Sequence, residues 1–132
     1  MTPSVAAGDL NGDGLGAFQP AVTFPAGAQP QAVRIADVNG DGLPDLVVAN
    51  RGVGSDGTGA PGVSVLLQDA THPGSFLAPI TYSTPWGAID VAVGDLNGDG
   101  HPDIAVADGN SATVMIQSAT SPGTFAQAVP VN

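Results

Sequence analysis

An all-β fold is expected from three features of the sequence. Short runs of Ala, Val, Ile and Leu recur along the chain, each bounded by Gly, Pro, Asn or Asp. Nineteen Gly and twelve Pro among 132 residues break the chain too often for long helices. A nine-residue Asp-rich pattern returns three times and punctuates the apolar runs at regular places.

The pattern reads Asp9-Leu10-Asn11-Gly12-Asp13-Gly14, then Asp37-Val38-Asn39-Gly40-Asp41-Gly42-Leu43-Pro44-Asp45, then Asp95-Leu96-Asn97-Gly98-Asp99-Gly100-His101-Pro102-Asp103. Aligning these loops exposes a longer repeat. Phe18 precedes Asp37, and Phe76 precedes Asp95, by the same 19 residues. Each full unit then offers four strand-like runs. In the first they are Ala32–Ala36, Asp45–Ala49, Val63–Gln68 and Phe76–Tyr82; in the second, Asp90–Gly94, Asp103–Ala107, Ala112–Gln117 and a last run after Phe125. Their length and turn-forming borders suit hairpin-linked antiparallel strands. A nearly continuous apolar run such as Leu46-Val47-Val48-Ala49 implies a strand covered on both faces, as in stacked sheets. Four antiparallel strands per repeat, stacked repeat upon repeat, describe the blades of a β-propeller.

The N-terminal repeat is truncated. Asp9 lies 9 residues before Phe18, against 39 from Asp37 to Phe76 and 30 from Asp95 to Phe125. The missing stretch corresponds to the second and third strands, leaving a first strand near Ser4–Gly8 and a fourth-strand segment near Ala17–Phe24. The expected division is therefore a truncated repeat at 1–27, a full blade at 28–84 and a second at 85–132. Two blades and a stub cannot close a ring of about four to eight blades. Apolar blade faces, lined by strands such as Val63–Leu67 and Thr113–Ile116, are then expected at the open ends. Self-association into an oligomer or filament would cover them.

Oxygen-bearing side chains at loop positions 1, 3, 5 and 9, with Gly at position 6, suit a hard cation. Ca²⁺ takes six to eight oxygens, and a backbone carbonyl at position 7 commonly adds one. The expected donors are Asp37, Asn39, Asp41, Leu43 through its carbonyl, and Asp45, with Asp95, Asn97, Asp99, His101 through its carbonyl, and Asp103 in the other full loop. Asp9, Asn11 and Asp13 form a third set. Its ninth position is Ala17, so that loop lacks a carboxylate. The charge balance agrees. The formal net charge is −10; all twelve acids are Asp, eight of them within these loops, and Arg34 and Arg51 are the only Lys or Arg. Two Arg cannot build a phosphate-binding stripe, which argues against a nucleic-acid partner. No apolar run approaches the length of a membrane span, so membrane insertion is not expected, and zero Cys excludes thiolate chemistry.

The stretch from Val91 to Ala107, closing on Pro122-Gly123-Thr124-Phe125, resembles the FG-GAP/VCBS repeat of calcium-binding β-propellers, integrin α-chain heads among them. The resemblance covers nearly the whole chain. It implies a loop that joins the first two strands of each blade and ligates Ca²⁺, and it implies an extracellular setting, where the ion is plentiful. The family fixes no single role, since its members adhere, bind glycans, accompany enzymes or serve as scaffold.

No enzyme is expected. His101 occupies the carbonyl position of its loop, His72 stands in a turn where the other unit has Ser121, and no Ser sits in a nucleophile-elbow setting. Asp90 and Asp108 lie outside the loops and read as solvated turn or edge residues. Trp86 and Tyr82 are the large aromatics with polar handles. Trp86 is expected to pack between the blades, an exposed sugar-binding ring being the alternative, with the Gly-rich insert at 52–62 as a variable contact. The reading is an extracellular calcium-binding propeller protein with a structural or adhesive role, self-assembling through blade faces. The alternatives are a glycan-binding fragment with a glycan or cell-surface ligand, or an excised part of a larger propeller.

Overall fold

The computed structural model of the chain describes residues 5–52 and 59–126 in full, and 129–131 for the backbone. Two four-stranded antiparallel sheets carry the fold. The first orders β1 (Pro30–Ala36), β2 (Asp45–Asn50), β3 (Gly62–Leu66) and β4 (Ile80–Ser83) in sequence. The second orders β5 (Ala88–Gly94), β6 (Asp103–Asp108), β7 (Ala112–Met115) and β8 (Val129–Val131) in the same way. Each is a propeller-type blade, as expected. The register shifts at one matching place in both, between Pro30 and Ala32 and between Ala88 and Asp90. Among the described residues there is no helix, hence none long and apolar enough to cross a membrane.

Side chains alternate along each strand, so the register assigns every residue to a face. One face of the first blade carries Arg34, Val47, Ala49, Val63 and Val65, opposite one another across the ladders. Val47, Ala49, Val63 and Val65 are fully buried and share one core cluster with Val91, Ile104, Val106 and Met115 of the second blade. The first blade therefore seats this face on the second. The other face of the first blade carries Ile35, Val48, Ser64 and Leu66. Val48, Ser64 and Leu66 are buried too, although blade two lies on the opposite side.

The N-terminal unit lies against that second face. A Cβ at Gly8 would touch the Ile35 side chain at 3.4 Å, and one at Gly27 would collide with Asn50 Nδ2 at 2.5 Å. The Phe24 ring meets Phe76 edge-on, centroids 5.2 Å apart. Residues 5–29 form no strand, which corrects the expectation for residues 5–8 and for Ala17–Phe24; residue 4 lies outside the described residues. The physical reason is pairing. A strand needs a ladder partner for its amides and carbonyls, and the deleted second and third strands would have supplied it.

Strands Val63–Leu66 line no outer surface, contrary to expectation, because they are buried on both faces. The far face of blade two leaves Ala92, Ala107 and Ala112 exposed. The Gly-rich insert at 52–62 falls mostly on residues 53–58, outside the described residues.

Candidate metal centres

Each Asp-rich loop is organised by its own carboxylates. In the first full loop, Asp37 accepts the Gly40 amide on Oδ1 at 2.8 Å and the Gly42 amide on Oδ2 at 2.8 Å. Asp41 Oδ1 accepts the Leu43 amide at 2.9 Å. The chain must double back within six residues, which puts Gly40 and Gly42 at φ of 77° and 86°, a region that side chains disfavour. The second full loop repeats this geometry. Gly98 and Gly100 donate to Asp95 at 2.8 and 2.9 Å, and His101 donates its amide to Asp99 Oδ1 at 2.9 Å.

The ninth residue closes the loop from inside the protein. Asp45 is fully buried; its two oxygens accept the Val38 amide at 2.9 Å and the Gln68 amide at 2.8 Å. Asp103, also fully buried, does the same with Leu96 and Gln117, both at 2.8 Å. This carboxylate thus ties loop start to third-strand end. Burial pushes the Asp45 carboxyl above its ordinary range; the Gln68 and Val38 amides pull it back, and the negative Asp41 and Asp37 push it up again. At Asp95 the Gly100 amide leads the amides that hold the carboxyl below its ordinary range, against a smaller effect of burial.

The outcome is two carboxylate clusters. Asp37, Asp41 and Asp45 bring ligand oxygens within 4.8 Å of one another, as do Asp95, Asp99 and Asp103. Three carboxylate oxygens converging so closely could hold a metal ion. Asn39 and Asn97 turn their side chains inward on each loop, where their Oδ1 atoms accept the amides of Asp41 and Asp99 at 3.2 and 3.3 Å. The Asp9 loop has the same local bonds, with Gly12 and Gly14 donating to Asp9 at 2.7 and 3.0 Å. Ala17 brings no third carboxylate, and among the described residues Asp9 and Asp13 form no triad with another residue.

The family model of the FG-GAP-like repeat matches residues 39–106, just over half of the chain. The chain belongs to the FG-GAP-like repeat family. A search of curated proteins found no match.

Two glutamines of this FG-GAP-like chain complete the loops and were not singled out from the sequence. Gln68 donates its Nε2 to the Pro44 carbonyl at 2.6 Å and accepts the Gly74 amide on Oε1 at 3.1 Å. Gln117 does the same between Pro102, at 2.5 Å, and Gly123, at 2.8 Å. Each buried amide staples the loop exit to the Pro-Gly turn of its own unit. The signal was present in the sequence, since both glutamines stand at one place in the repeat.

Other residues depart from expectation. Asp90 is half-buried and pairs with Arg34 across the blades at 2.6 Å. Asp108 is buried rather than solvated. Burial would raise its carboxyl, but the amides of Asn110 and Ser111 and the hydroxyls of Ser111 and Thr113 outweigh that and hold it low. Trp86 does not pack between the blades; it is 52% exposed. Tyr82 takes that position, its ring edge-on to Phe125 at 5.8 Å. His72 stands in an exposed turn beside Asp69, which accepts from Thr71 and His72 and is lowered to about 2.

Proposed function

We propose that this FG-GAP-like chain is an extracellular, calcium-stabilised propeller module with a structural or adhesive role, self-associating through its blade faces. The observation that carries the proposal is the pair of carboxylate clusters, each with its ninth Asp buried. Oxygen-only donors without thiolate or imidazole suit Ca²⁺ rather than a softer metal. Asp37, Asn39, Asp41, the Leu43 carbonyl and Asp45 would hold one ion. Asp95, Asn97, Asp99, the His101 carbonyl and Asp103 would hold another. Asp9, Asn11 and Asp13 would hold a third more weakly.

When bound, calcium supplies positive charge and coordination, not chemistry. Asp45 and Asp103 also bind the amides that end the third strand, so ligation there pins loop and sheet together. Binding free energy then becomes folding free energy. At a free concentration of about 100 times Kd, one site adds about 2.7 kcal/mol. The role proposed is not enzymatic. The test is thermal unfolding in millimolar Ca²⁺ against excess chelator. A clearly higher Tm with calcium is expected; equal melting would remove calcium from the reading.

One feature supports a second reading, glycan binding. Trp86 is half exposed and precedes Gly87, which lines a hollow of about 400 Å³ with Gln29, Arg51 and Gly52. An exposed indole suits stacking on a sugar ring, and Arg51 in the hollow suits a carboxylate carried by that ring. Quenching of Trp86 fluorescence by uronic-acid oligosaccharides is the expected sign, and unchanged fluorescence counts against it.

A further inference from the structure

We propose that the outer face of blade two docks the N-terminal unit of a second copy of this chain, head to tail. This rests on the self-association proposed above and assigns it a surface. One joint occurs twice inside the chain. Asn11 Cβ lies 3.3 Å from where a Cβ would stand on Gly74, and Asn39 Cβ lies 3.2 Å from the same point on Gly123. At the first joint the Phe24 and Phe76 rings meet at 5.2 Å and 80°; at the second, Tyr82 and Phe125 meet at 5.8 Å and 88°. Phe24 and Tyr82 hold equivalent places in the repeat, as do Phe76 and Phe125. The N-terminal unit therefore sits on blade one as blade one sits on blade two.

The N-terminal unit and blade two each expose one half of this joint. In blade two, Asn97 stands where Asn11 and Asn39 stand, and it is exposed. Its neighbour Leu96 is 51% exposed, whereas the matching Val38 is fully buried. On the outer face Ala92, Ala107 and Ala112 are exposed where blade one has Arg34, Ala49 and Val63 beneath blade two. Ala105 and Ala112 replace Val47 and Val63, and a groove of about 290 Å³ runs along this face.

The N-terminal end offers the complement. Gly16, which matches Gly74 and Gly123, has open space around it. Phe18, which matches Phe76 and Phe125, is 100% exposed. Val5 matches Val91, which lies in the core that joins the two blades; Val5 is 91% exposed. Stacking a second copy by the internal joint puts Gly16 on Asn97 and Val5 over the alanine-lined groove. Burying large apolar side chains left in water favours association. The two surfaces differ, so the contact is heterologous and yields a ring where its rotation closes, or a filament where it does not.

Val5→Asp and Phe18→Asp test this, because each side chain is exposed in a single copy. Sedimentation in millimolar calcium is expected to show unchanged melting but association weakened about tenfold or more. Mixing a Gly16→Cys copy with an Ile116→Cys copy adds a position-specific readout. Ile116 matches Leu67, whose Cδ1 lies 3.2 Å from a Cβ on Gly123. A short bifunctional maleimide is expected to give the mixed dimer in excess over either self-dimer. An oligomer indifferent to both Asp variants, without the mixed product, overturns this joint while leaving self-association standing. A monomer at high micromolar concentration overturns both and gives the face to a different partner.

Discussion

The Tyr82 hydroxyl of the first blade accepts the backbone amide of Phe125 in the second at 3.1 Å, while the two rings meet edge to face. One side chain thus joins the blades by both an apolar and a polar contact. Tyr82→Phe keeps the ring contact but leaves the Phe125 amide without its acceptor. It is expected to cost about 1–3 kcal/mol in denaturant unfolding. Tyr82→Ala removes both contacts and is expected to cost more. Equal costs for the two variants would show the hydroxyl to be the whole contribution.

Gln68 and Gln117 give a second prediction. Replacing either by Ala leaves a Pro carbonyl and a Gly amide without their partner. A loss of about 1–3 kcal/mol is expected for each variant, measured by urea unfolding in calcium. Calcium affinity should fall as well, because the loop exit beside Asp45 or Asp103 is no longer held. A variant that matches wild type in both measurements would leave these glutamines as fillers.

The Arg34–Asp90 pair gives a weaker expectation. Both side chains remain well exposed, at 39% and 50%. Water and salt screen such a pair, so a double-mutant cycle on Arg34→Ala and Asp90→Ala is expected to give no more than about 1 kcal/mol. Added salt should shrink it further. A coupling well above that would mean that the pair is shielded on assembly.

Asp69 supplies a pH test. Thr71 donates its hydroxyl and amide to the carboxylate, His72 adds its ring nitrogen, and the group is lowered to about 2. The folded state favours the charged form, so this contribution is fully present above the unfolded value. It is lost as pH falls through the folded one. Carboxyl NMR titration is expected to find the Asp69 midpoint near 2; a midpoint close to the ordinary 3.8 would mean that the turn does not hold these bonds.

Much of this was legible because the repeat states the same thing twice. Asp37 and Asp95, with the glycines behind them, announce a loop that turns back on itself, and loop geometry is local. The strands around Val47 and Val106 were equally plain, since apolar runs between turn residues need only near neighbours to be recognised. Long-range relations were not legible. That Asp45 and Asp103 would be buried, bound to amides of Gln68 and Gln117, depends on where the third strand ends in space. That Tyr82 rather than Trp86 packs between the blades was hidden for a similar reason. Both lie in one connection, and blade packing rather than composition selects which ring is covered. Residues 5–24 kept strand-like sequence without the partner strands that would make strands of them.

Calcium titration by calorimetry, with site-by-site substitution, is the most direct test. Two tight sites and a weaker third at the Asp9 loop are expected. Asp41→Ala and Asp99→Ala should each abolish one tight site and leave the other. Three sites of equal affinity would contradict the weaker Asp9 site, whereas no binding at millimolar calcium, or an unchanged number of tight sites in both variants, would contradict calcium ligation by Asp37–Asp41–Asp45 and Asp95–Asp99–Asp103.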